Sequence, residues 1–68
     1  MTSAADRIAD ILKLSRPAHQ ALTAAGIVTF ADLSKWTRKE VANLHGIGPK
    51  TFVFLEPAMN ERGVAFKA

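Results

Sequence analysis

At 68 residues the chain has room for one domain with one small core, so its stability margin is thin. The absence of cysteine excludes disulfides, and His19 and His45 cannot by themselves close a structural zinc site. Nine Lys and Arg against six Asp and Glu give a net charge of +3, which favours an anionic partner without requiring one.

The stretch from Met1 to Arg7 lacks a basic segment followed by an apolar run, and no stretch is long enough to cross a membrane, so a cytosolic, unprocessed protein is expected. Ser3 with Asp6 three residues later has the form of a helix cap, and Ala5, Ile8, Ile11 and Leu12 follow at helical spacing. These residues predict a first helix from about Ala4 to Leu14. Ser15 is the next cap, with Arg16 and Pro17 in the first turn behind it. Ala18, Ala21, Leu22 and Ala25 supply a narrow apolar stripe, and Gly26 ends that helix.

Thr29 with Asp32, and Thr37 with Glu40, each have the spacing of a capping box. They predict a short third helix with Phe30, Leu33 and Trp36 inward, and a fourth carrying Val41 and Leu44. The last helix starts at Pro49, shows Phe52, Leu55 and Met59 on one face, and ends at Gly63. Pro57 inside it removes a backbone hydrogen bond, which predicts a kink or break near Phe54 to Glu56 and turns Phe54 inward. No segment alternates convincingly for a strand, so the fold class is all-α, a compact five-helix bundle. A short internal echo, Gly26-Ile27-Val28-Thr29-Phe30 against Gly46 to Phe52 with two residues removed, suggests two helix–turn–helix units packed as a pair.

Between the fourth and fifth helices lies His45-Gly46-Ile47-Gly48-Pro49-Lys50-Thr51. Glycine permits a tight turn and close backbone approach, and proline fits the first turn of a helix. The chain therefore enters a helix whose first N–H groups point outward beside a cation and a hydroxyl. That pattern suits an anion, above all a phosphate.

Leu44 to Thr51 resembles a helix-hairpin-helix motif, with the hairpin at 44–50. From Leu14 to Phe66 the order of elements is similar to the C-terminal domain of the bacterial RNA polymerase alpha subunit. The resemblance implies a SAM-like helix-hairpin-helix fold, with 1–14 as an added N-terminal helix and 15–66 as the core of a single free-standing domain. It also implies that Gly48, Lys50 and Thr51 lie against DNA phosphates; the N–H groups that follow Gly46 and Gly48 add Gly46 and Ile47 to the expected site, and His45 at the hairpin entrance suits either a phosphate contact or a helix end. The family's minor-groove arginine and asparagine have Arg16 and Gln20 as counterparts. Their spacing is shifted by one residue and Pro17 stands at the arginine's own position, which weakens the case for A·T reading.

The expected function is non-sequence-specific binding of duplex DNA by a monomer, through backbone phosphates and without a cofactor. Arg16, Lys35, Arg38 and Lys39 are candidates to flank the site, although Lys35 and Arg38 equally suit a solvated face. The alternative is a protein-interaction module on the same scaffold, which an exposed Phe54 would favour. The hairpin also resembles the lysine-bearing hairpin of bifunctional DNA glycosylases. Lyase chemistry needs an aspartate beyond the next helix, and no carboxylate side chain follows Glu61. Asp6 with Asp10, and Ser15 with His19, lack the partners that catalysis would need, so no enzymatic activity is expected.

Overall fold

Hydroxyl side chains start three of the five helices. The computed structural model describes residues 2–68 and contains α1 (Ile8–Ile11), α2 (Arg16–Ala24), α3 (Phe30–Leu33), α4 (Arg38–Ala42) and α5 (Pro49–Glu61). Ser15 Oγ accepts the Ala18 N–H, and both Thr29–Asp32 and Thr37–Glu40 form complete capping boxes. α2 then leaves through a doubly hydrogen-bonded exit: the Gly26 N–H donates to Thr23 O and the Ile27 N–H to Leu22 O, while Leu22 and Ile27 are both buried. α5 ends in the same way, with the Gly63 N–H donating to Asn60 O and the Val64 N–H to Met59 O. No β-strand occurs among the described residues, whose one isolated bridge joins Arg7 to Thr29.

The helices close around Ile8, Leu22, Ile27, Phe30, Leu33, Val41, Phe52, Leu55 and Met59. Full burial of side chains such as Phe30, Leu33 and Leu55 stabilises the fold by about 1.5–3 kcal/mol each. The Phe52–Leu55–Met59 stripe of α5 faces this core as the spacing predicts, and Trp36 packs against its edge half-buried. At the C-terminal end Phe66 meets Phe52 edge-on, with ring centroids 6.0 Å apart, and the Lys67 N–H donates to Trp36 O at 2.8 Å.

Three expectations are corrected. The helix predicted over about Ala4 to Leu14 shrinks to the four residues of α1. The Ser3–Asp6 cap does form, with the Ser3 N–H donating to Asp6 Oδ2 at 2.9 Å, but it closes a turn and not a helix. Tertiary pairing wins over local preference here. Asp6 O accepts the Phe30 N–H and Ala4 O the Ala31 N–H, while the Ile8 N–H donates to Val28 O, so residues 4–8 run as a strap along the start of α3. Arg62 fastens the strap from the other end of the chain: its buried guanidinium lies 3.2 Å from Asp6 Oδ2, donates to Ala58 O and sits 4.5 Å from the Phe30 ring centre.

The second correction is α5, which is continuous through Pro57. The donor that Pro57 lacks would have served Val53 O, and Val53 and Pro57 both lie on the exposed side of α5, where water can replace the missing donor. Third, Phe54 is not turned inward; it is 52 % exposed on the solvent side of α5.

Candidate functional site

The turn between α4 and α5 sits on the first turn of α2. Gly46 has φ +101°, and a Cβ there would stand 2.6 Å from the Pro17 carbonyl oxygen, so this position requires glycine twice over. That approach brings Arg16, the first residue of α2, close to the turn. Gly48 is different. Its φ of −107° suits any residue and no atom lies within 4 Å of where its Cβ would be. Glycine at 48 leaves open space in front of a helix start.

That helix start is unfinished. Gly48 is the N-cap of α5 and offers no side-chain acceptor. The Thr51 N–H folds back to Gly48 O at 3.0 Å, and the Ile47 N–H to Leu44 O at 3.1 Å. The N–H groups of Gly46, Gly48 and Lys50 have no acceptor among the described residues. A helix of thirteen residues adds its dipole to these unpaired donors, giving partial positive charge at the turn.

Cations stand on both sides. On one, Lys13, Leu14, Ser15, Lys50, Thr51 and Phe54 line a cleft of ≈ 140 Å³. On the other, Arg38 joins Ala42, Ile47, Gly48, Pro49 and Phe52 around a second cleft of ≈ 210 Å³. No carboxylate lines either. Two ion pairs form among the described residues, Arg62 with Asp6 and Arg38 with Glu56, and neither involves Lys13, Arg16 or Lys50. Asp32 and Glu40 are engaged elsewhere. Hydrogen bonds from the Thr29 and Val28 N–H groups hold the Asp32 carboxyl below the usual carboxylate range, and the Thr37 N–H does the same for Glu40. The acids are largely tied into caps and clasps; of the cations around the turn Arg38 is paired with Glu56, and Lys13, Arg16 and Lys50 are left without counter-charges.

The predicted site residues separate into groups. Lys50 is exposed at the turn, with Gly46 and Gly48 beside it. Ile47 packs against the core and acts as the turn's anchor, and Thr51 is buried at the floor of the Lys13 cleft. Arg16 and Gln20, four apart, share the exposed ridge of α2 that borders the ridge carrying Pro17. His45 is exposed and lies farther along α2, around a shallow depression with Ala21, Ala24, Ala25 and Leu44. His19 lies outside this group: its Nε2 accepts the Leu14 N–H at 3.1 Å, which fixes the connection into α2.

Arg38 is not an isolated surface charge. It lies 2.7 Å from Glu56, stacks 4.4 Å from the Phe52 ring centre and flanks Gly48. Lys13 and Ser15 are site residues that sequence patterning assigned elsewhere, one to the polar face of a helix and the other to a cap. Their place became readable only once the first helix ended at Ile11, leaving Leu12 to Ser15 extended beside α5.

Comparison with family models, curated proteins and solved structures finds no match to this chain. Among the described residues no helix is long and apolar enough to cross a membrane, and no group of three or more His, Cys, Asp or Glu is placed to hold a metal ion.

Proposed function

We propose that this chain is a helix-hairpin-helix module that binds duplex DNA through its backbone phosphates, with little dependence on sequence. The observation that carries this reading is the open helix start at Gly48: N–H groups with no acceptor among the described residues, with Lys13 and Lys50 on one side, Arg38 on the other and no carboxylate lining the adjoining clefts. A phosphate supplies the missing acceptor and the missing charge together. The N–H groups of Gly46, Gly48 and Lys50 with the Lys50 ammonium hold one strand, and Arg16 with Gln20 reaches toward the other. Phosphate contacts carry no base information, so discrimination among sequences is small.

Few phosphates are neutralised by so small a surface. Affinity therefore falls with salt at a slope of about −3 in log K against log [salt], for roughly three released counterions. Lys50→Glu is the direct test: Lys50 is exposed, so the variant keeps its helical circular dichroism and thermal midpoint while duplex binding, read by fluorescence anisotropy at low salt, is lost. A folded Lys50→Glu protein with unchanged affinity overturns the assignment. The exposed ridge of Val53, Phe54 and Pro57 on α5 supports a second reading, docking of a protein partner. That reading leaves the unpaired N–H groups and the unpaired cations without a role.

A further inference from the structure

The cleft beside Lys50 carries more than a backbone phosphate needs. Its wall contains an aromatic ring: Phe54 is half exposed and lies one helical turn beyond Lys50, so ring and ammonium share a face of α5. Its floor contains a hydroxyl. Thr51 is 6 % exposed and its side chain makes no hydrogen bond to the described residues. No side-chain polar atom among those residues is both enclosed and unpaired, so the Thr51 hydroxyl keeps contact with solvent, and Thr51 lines the cleft. Lys13 closes the opposite rim, without an ion-pair partner and with no carboxylate along the wall.

Two ammonium groups, a free hydroxyl donor and a flat apolar ring complement one nucleotide: an anion on the cations and the hydroxyl, a π-face on the ring. A base inside a duplex has both faces covered by its neighbours. Phe54 can therefore stack only on a base with a free face, at a strand end, a gap or a single-stranded tail. Resting on the DNA reading above, we propose that this cleft holds an unpaired nucleotide. Its phosphate lies between Lys13 and Lys50 and its base on Phe54, so the protein prefers DNA carrying a single-stranded segment over a blunt duplex.

The test compares a short blunt duplex with the same duplex extended by a single-stranded tail bearing 2-aminopurine at the junction, at low salt. The tailed DNA binds roughly tenfold tighter, the scale of one base stacked on an aromatic side chain, and the 2-aminopurine fluorescence changes on binding. Phe54→Leu keeps an apolar residue at an exposed helix position. It removes the tail preference and the fluorescence change while blunt-duplex affinity stays within about twofold. Phe54→Trp restores both. Equal affinity of the unaltered protein for the two DNAs, or a preference that survives Phe54→Leu, overturns this inference and leaves the duplex reading standing. Failure of the unaltered protein to bind either DNA at low salt overturns both.

Discussion

Two turns in this molecule pass through a left-handed glycine and deliver the chain into a helix, and they end in opposite states. At the first, Gly26 leads to Thr29 and α3, and every early donor is taken: Asp32 Oδ2 accepts the Val28 and Thr29 N–H groups, Asp6 O and Ala4 O accept those of Phe30 and Ala31, and Thr29 Oγ1 accepts that of Asp32. At the second, Gly46 leads to Gly48 and α5, and the N–H groups of Gly46, Gly48 and Lys50 have no acceptor among the described residues. The first turn is finished by a carboxylate, a hydroxyl and a strap of backbone; the second has a glycine where the cap would be and a threonine where the acid would be, with Lys50 just before it. A helix start left open at a tightly packed turn is where an external anion completes the structure.

Substitution of the two glycines separates packing from conformation. Gly46→Ala adds a methyl group against the Pro17 carbonyl at a positive φ, and is expected to cost about 3 kcal/mol and to lower the thermal midpoint by more than ~10 °C. Gly26→Ala has the conformational cost alone, about 1–2 kcal/mol, because nothing lies within 4 Å of its Cβ position. Equal costs would show that the turn before α5 does not rest on α2 as described. Smaller and more telling is an exchange of caps. Thr29→Ala opens the first turn at a cost of about 1 kcal/mol with duplex affinity unchanged. Gly48→Asp closes the second, with a gain of a few tenths of a kcal/mol and loss of DNA binding. Urea melts and anisotropy titrations of the same two proteins read both signs.

Acid acts on the capped starts of α3 and α4 and spares the open start of α5. Asp32 and Glu40 have their folded pKa values lowered by backbone N–H donors, so their contribution is complete above the ordinary carboxylate range and is lost as pH falls through the lowered values. The thermal midpoint is therefore expected to decline below about pH 4. Asp32→Asn together with Glu40→Gln removes their share of that decline. A double variant with the unaltered pH profile would contradict the capping role of these carboxylates.

How much of this was legible in the sequence depended on how local the cause was. The Thr29 and Thr37 boxes, the Ser15 cap, the exits at Gly26 and Gly63 and the Phe52–Leu55–Met59 stripe each depend on residues within a turn or two of one another, and spacing suffices to read them. The Ser3–Asp6 cap was equally local and still misled, because Ala4 O and Asp6 O are claimed by donors of α3 more than twenty residues away. Pro57 misled for the opposite reason: its cost depends on whether Val53 O faces core or water, and a helical wheel does not show that. Gly46 and Gly48 look alike as letters. Only packing shows that one is needed by the fold and the other leaves a space.

The measurement that bears most directly on the open turn is an amide-resolved NMR titration with a short mixed-sequence duplex at low salt, repeated at about 0.2 M, where counterion release weakens a phosphate contact. Salt-sensitive shifts are expected at the N–H groups of Gly46, Gly48 and Lys50, extending to Arg16 and Gln20, with Val28 to Asp32 unmoved. Absence of shifts at low salt, or shifts as large at the Gly26 turn as at the Gly46 turn, would contradict it.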